Sequence, residues 1–187
     1  MNLFTSKIEK AKIDIEQLGT KNTKHTRGAT LYHHLVRVQE ILASWGCEEE
    51  VQIAGLYHSL YSTEYFSKVV VSARSDIQNK LGDITENIVY FFSILDRETL
   101  IFDESKKTIS FKNYINKELV ICDYVTGVAL VHLMFANDID HISIVGIGSR
   151  LPIFNKYKNL RVLLTVQAQH ELDKILPREQ DPEDSST

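Results

Sequence analysis

"LYHHLVRVQEILASWG" occupies residues 31–46, and "VQIAGLYHSLYSTEYF" follows at 51–66. In the first stretch Leu31, His34, Leu35, Val38, Ile41, Leu42 and Trp45 recur at helical spacing and line one face of an amphipathic helix. Thr30 stands where an N-cap belongs, and Gly46 where a helix stops. In the second stretch Val51, Ala54, Gly55 and His58 form a shorter stripe. Glu48, Glu49 and Glu50 sit at the positive end of that helix. So short a connection makes the two helices antiparallel neighbours. Each then places a histidine, His34 or His58, among apolar side chains. An imidazole buried without a partner costs about 1–3 kcal/mol. The pair therefore calls for hydrogen bonds, a metal or a bound anion. On spacing alone, backbone carbonyls and the nearby Tyr32, Tyr57 and Tyr61 would satisfy them as ordinary core histidines.

Working outward, the chain reads as helical almost throughout. Ile8, Ala11, Ile15 and Leu18 form a stripe ended by Gly19, and residues 21–30 are a polar loop. Ser75 is placed to cap a short helix ending at Gly82; Ile84, Ile88, Phe91, Phe92 and Leu95 mark the next. "TLIFDESKKTISF" (99–111) alternates as a small β-hairpin does. Residues 113–140 read as a long central helix, 146–155 as a loop and about 157–176 as a last helix. The Gly-x-Gly at 146–148 lacks the strand–helix context of a phosphate cradle. Residues 177–187 have the acidic, Pro- and Ser-containing composition of a disordered tail. The expected architecture is all-α, a single helical domain over 1–176 with a small hairpin.

Composition narrows the function classes. The chain has 187 residues, 43% hydrophobic and 25% charged, with a net charge of −4. It offers no basic field for nucleic acid. Cys47 and Cys122 are too few for a disulfide framework, and the N-terminus lacks a signal-peptide core. The most apolar window, 119–136, contains Asp123 and His132 and reads as buried helix, not a membrane span. These features lead us to expect a cytoplasmic protein that acts on a small molecule, with neither nucleic acid nor membrane as partner. Nothing in the sequence fixes the oligomeric state.

His25, "HHL", "WG", "AGLYHSLYSTEYF", Arg74, "LGDITENIVYFFSILDR" and "FANDID" occur in consistent order over residues 25–140. This series resembles the HD-domain superfamily, and more closely its DUF6817 group of uncharacterised HD-like domains. The resemblance implies an HD-like helical bundle, but no established activity. HD enzymes hold a divalent metal with His, a His-Asp doublet and a distal Asp. Here His34 and His58 fit the histidines, Ser59 stands in place of the doublet's Asp, and Asn137 in place of the distal Asp. Asp138 and Asp140 lie close enough to leave that register open. Magnesium, manganese and iron need carboxylate ligands, so their loss disfavours an ordinary HD phosphohydrolase.

Three repairs suggest themselves. His25 would complete a three-histidine site of the kind zinc takes. Glu64 would supply a carboxylate, although it also reads as a helix-start acid. Asp138 would replace Asn137 if the register slips by one. The candidate set is thus His34, His58 and Ser59 as catalytic groups, and His25, His34, His58, Asn137 and Asp138 as metal ligands. Tyr61, Glu64 and Arg74 complete it as substrate-pocket residues. Zinc is the favoured metal over iron or manganese, and a metal-free site stays open. Arg97 reads as a structural partner of Asp96, His132 as a core histidine, and His141 as ordinary. Ser59 beside His58 makes no serine triad, because adjacent helix positions point apart. Two function classes follow: a metal-assisted hydrolase or lyase on a small, perhaps phosphorylated, substrate, or a metal-free ligand-binding module. An iron oxygenase is a lesser branch of the first.

Overall fold

Ser6 accepts a hydrogen bond from the Glu9 amide and starts α1 (Lys7–Gln17), which buries Ala11 and Ile15. The computed structural model describes residues 6–25, 28–71, 73–145 and 151–176. Thr30 caps α2 (Leu31–Ser44), accepting from the His33 amide, and Leu31, His34, Leu35, Val38 and Leu42 are buried as the stripe predicts. The chain leaves α2 through Gly46 at φ 71°, a left-handed turn that suits glycine. It then enters α3 (Glu49–Tyr57).

α2 and α3 are antiparallel. The start of α2 meets the end of α3 through His34 and His58, and their middles meet through Gln39, whose amide donates to Gln52 at 3.1 Å. Gly55 permits the close approach: a Cβ there would lie 2.8 Å from Leu42 Cδ1 and 3.5 Å from the Gln39 backbone.

α4 (Arg74–Leu81) and α5 (Asp83–Ile94) follow. Ser75 is not the cap: α4 begins one residue earlier, with Ala73 at the N-cap position and no side-chain cap. The expected hairpin is present as β1 (Ile101–Asp103) and β2 (Thr108–Lys112), but a third strand, β3 (Leu119–Cys122), joins it. The sheet is antiparallel in the order β1-β2-β3, with Ile109 opposite Cys122 and Phe111 opposite Val120. The central helix therefore starts at Tyr124, not 113. "LVIC" is apolar enough to extend a helical reading, but it alternates exposed and buried residues like a half-covered strand. Asp123 then accepts from the Thr126 amide and hydroxyl and closes the first turn of α6 (Tyr124–Val145).

The last segment also differs. α7 (Leu151–Leu160) occupies part of the expected loop, and α8 (Val166–Ile175) is a separate helix capped by Thr165. The expected helix over 157–176 is broken because Thr165 satisfies two orders at once. Its hydroxyl caps α8, and its amide donates to His132 Nε2 at 2.9 Å. The Gly-x-Gly of 146–148 and the tail at 177–187 lie outside the described residues.

α6 is the central element, with Leu130, Val131, Leu133, Met134, Phe135 and Ala136 fully buried. α2 and α5 pack on it, and the sheet is seated against it at Gly127. The fold is mainly α-helical with one small antiparallel sheet. No helix among the described residues is long and apolar enough to cross a membrane.

Candidate metal centre and ligand cavity

Four elements, the loop before α2 and the helices α2, α3 and α6, bring the histidines together. The 20–30 loop is closed by an antiparallel bridge between Lys24 and Thr30, and the His25 amide donates to the Ala29 carbonyl at 2.9 Å. This folds the loop over the start of α2, where the His25 ring stacks on His34 with centroids 4.3 Å apart and planes 13° apart. His58 closes α3, with its Nε2 3.0 Å from His34 Nε2. His141, on α6, lies 5.1 Å from His34 and 5.7 Å from His25 between ring centroids. One ligand nitrogen from each of His25, His34 and His141 falls within 4.8 Å of the others. That is a possible three-histidine metal site.

The outer partners fix the orientation of the rings. His58 Nδ1 lies 2.8 Å from the Gly55 carbonyl and must donate to it. His34 Nδ1 lies 2.7 Å from Asp140 Oδ2 and donates to that carboxylate. Both Nε2 lone pairs then point at one another, and two lone pairs 3.0 Å apart need something positive between them. A proton makes the contact an N–H···N hydrogen bond. A metal ion at the His25, His34 and His141 cluster would instead draw on the His34 nitrogen, which Asp140 backs as metal-bound histidines usually are backed.

The electrostatics keep imidazoles available. Burial, then the neighbouring His34 and His141, lowers the pKa of His25 to about 3. Burial, then His34, holds His58 well below its ordinary value, opposed by the Gly55 carbonyl. Burial alone would raise the Asp140 carboxyl, but hydrogen bonds from His34 and Arg37 outweigh it and hold it below the usual carboxylate range.

A cavity of about 710 Å³ opens beside the cluster. Its lining includes His25, His34 and His141 together with Ser59, Asn137, Arg97, Asp138 and Lys156. His58 is completely buried behind His34 and is not on the lining. Asp138 does not face the histidines. It accepts from Tyr157 at 2.7 Å and pairs with Arg97 at 3.2 Å, partners other than the histidines. The carboxylate that reaches His34 is Asp140.

Other expected pocket residues lie elsewhere. Glu64 is exposed and outside the lining. Tyr61 and Arg74 both bind the buried Glu86, and Arg74 also stacks over Tyr90 at 3.6 Å, in a cluster separate from the cavity lining. Arg97 does not pair with Asp96, whose carboxylate meets Lys117 at 3.6 Å. It enters the cavity between the Tyr65 and Phe92 rings. His132 bridges the Val128 carbonyl and the Thr165 amide, a structural role.

Sequence reasoning set His141 aside as ordinary, and it named Asp140 only as an alternative to the Asn137 register, outside the candidate set. A signal was present: His141 follows Asn137 by four residues and shares its helix face, and Asp140 follows it by three.

Residues 14–97 match a family model described as a domain of unknown function, DUF6817. The match spans α2, α3, His25, His34, His58 and Arg97, and ends before α6. No curated protein and no solved structure matches the chain significantly. The matched segment carries His25, His34, Ser59 and Arg97 of the cavity lining, and α6 and α7 carry Asn137, Asp138, His141 and Lys156.

Proposed function

We propose that the protein is a metal-assisted hydrolase or lyase acting on a small anionic substrate, such as a phosphorylated one. The observation that carries this reading is the convergence of His25, His34 and His141 at the wall of a cavity, with His58 behind them. The donor set is imidazole, while the positions adjoining it, Ser59 and Asn137, are uncharged. Such a set suits zinc or another late divalent metal and serves magnesium poorly. Bound there, the ion would supply Lewis-acid activation of water and of the substrate's electrophilic centre.

The chain's own groups define what the substrate meets. Asp140 and the Gly55 carbonyl orient the His34 and His58 rings. On the same lining, Asp138 grips the Arg97 guanidinium at one edge and aromatic rings lie over its faces, leaving further N–H donors for a substrate oxyanion. Lys156, 3.8 Å from Asp138, adds a second cation. Ser59 and Asn137 add neutral hydrogen-bonding groups to the lining.

A second reading rests on the 3.0 Å Nε2 separation, which also fits a shared proton. In that case the pocket binds its ligand without metal. Elemental analysis of untagged protein purified without added metal, followed by zinc calorimetry on wild type, His25→Ala and His141→Ala, separates the two. The metal reading expects one zinc per chain and weaker binding in both variants. Absence of binding in the wild type leaves the metal-free module. Zinc-dependent turnover of generic phosphate or carboxylate esters, lost in Arg97→Met, tests the hydrolase assignment.

A further inference from the structure

Behind His34 the hydrogen-bond chain continues to the outer surface. Asp140 holds His34 Nδ1 with Oδ2, and Arg37 grips the same carboxylate from the other side. Arg37 Nε donates to Asp140 Oδ1, and its terminal nitrogen donates to Oδ2 at 3.1 Å, a two-pronged grip. Arg37 follows His34 by three residues on α2, so both side chains reach the same stretch of α6. The Asp140 side chain is 1% exposed, whereas that of Arg37 is 36% exposed. Arg37 opens onto a separate groove of about 320 Å³, lined also by Glu40, Ser44 and Ile139, and it does not line the histidine cavity.

We propose that Arg37 is a positioning residue which sets the metal affinity of the inner site through Asp140. The proposal rests on the reading of the histidine cluster as a metal centre. A buried carboxylate needs compensation beyond one imidazole N–H, and Arg37 provides it. With both oxygens clamped, Asp140 cannot rotate away from His34. His34 then keeps its proton on Nδ1 and presents Nε2 as the ligand atom. A fork-shaped guanidinium does this where an ammonium, a point charge, does it less well. Arg37 lines neither the cavity nor the ligand nitrogens, so its contact with the site runs through the carboxylate; its charge also reaches His25 through space, and Arg37→Lys, which keeps the charge, separates the two.

The test uses wild-type protein, Arg37→Lys, Arg37→Met and, as a control on the same groove, Glu40→Gln. Zinc affinity is measured by calorimetry, and cobalt(II) titration reports the ligand field by its visible spectrum. Nitrogen-15 spectra of the metal-free proteins report which His34 nitrogen carries the proton. Partners of this kind shift metal affinity by about 10- to 100-fold. Arg37→Met is expected to lose that much, Arg37→Lys less, and Glu40→Gln nothing. His34 should carry its Nδ1 proton in the wild type and a mixture in Arg37→Met. If Arg37→Met is too unstable, Arg37→Lys carries both readouts. Unchanged zinc affinity together with an unchanged His34 tautomer would reduce Arg37 to an ordinary ion pair. A wild type that binds neither zinc nor cobalt overturns the metal-centre reading, and this role with it.

Discussion

His34 and His58 meet nitrogen to nitrogen, Nε2 to Nε2 at 3.0 Å, and each is held from behind by an acceptor that claims its Nδ1 proton. The arrangement follows from α2 and α3 running antiparallel, with Gly55 letting them close on one another. Replacing His58 by Gln removes one converging nitrogen and leaves the Gly55 carbonyl and His34 seeking partners. His58→Gln should lose about 1–3 kcal/mol of stability in urea denaturation. It should also weaken zinc binding. Retention of both wild-type values would remove His58 from the site.

Stability should fall on mild acidification, and the sign follows from the imidazoles. Burial, then neighbouring histidines, lowers His25 to about 3, and burial lowers His58 and His132 as well. In the unfolded chain all three protonate near pH 6.5. Below that pH the unfolded state binds more protons than the native state, so stability drops. The contribution is fully present above about pH 6.5 and is lost as pH falls toward the depressed native values. Metal-free protein should therefore melt at a lower temperature at pH 5 than at pH 7.5. The difference should narrow in His58→Asn.

The Arg97–Asp138 pair offers a different test. Arg97 and Asp138 form a buried ion pair, with side chains 8% and 7% exposed, and Tyr157 donates to the same carboxylate. Breaking a buried pair from one side costs about 3–5 kcal/mol because the surviving charge is stranded. Tyr157 and Lys156 soften the loss here, so Arg97→Met is expected near the lower end of that range. Arg97→Met with Asp138→Asn should recover part of it, measured as a double-mutant cycle in chemical denaturation. Additive losses would mean that the two side chains are not energetically coupled.

These sites differ in how far the sequence discloses them. The 31–46 stripe buries the residues its period selects, and the facing stripes of α2 and α3 bring His34 to His58. Helical periodicity carries that information directly, because side chains three and four residues apart must share a face. It fails in α6, which is apolar on most sides and gives no stripe to set the register. Asn137, Asp138, Asp140 and His141 are therefore ambiguous until the neighbours of each face are known. Asp138 turns to Arg97 and Tyr157, whereas Asp140 turns to His34 and Arg37. β3 is hidden for a related reason: four apolar residues directly before a helix extend its pattern, and only pairing with β2 reveals the strand. Arg97 could not be placed from its neighbour Asp96, since its partner is 41 residues away.

The seat of the sheet on the central helix supplies the last prediction. Gly127 lies in the first turns of α6, opposite β2, and a Cβ there would stand 2.4 Å from Ile109 Cδ1 and 2.7 Å from Ile109 Cβ. The first atom ends a flexible side chain and can move, but the second is fixed to the strand backbone. Ile109 is fully buried and pairs with Cys122 in the neighbouring strand, so it has no room to retreat. Adding a methyl group therefore has to push β2 from the helix, an overpacking that costs about 1–3 kcal/mol. Alanine's better helix propensity returns less than that, about 1 kcal/mol. Gly127→Ala should thus be destabilising by thermal or urea unfolding. Ile109→Ala alone should also destabilise, by leaving a cavity. In the double variant the contacts with Ile109 Cδ1 and Cγ1 disappear and only the one with Cβ is left, while the methyl fills part of the space the shortened side chain vacates. The combined loss should then be smaller than the sum of the two single losses. A sum without coupling, or a Gly127→Ala protein as stable as wild type, would mean that the sheet sits farther from α6 than these contacts place it.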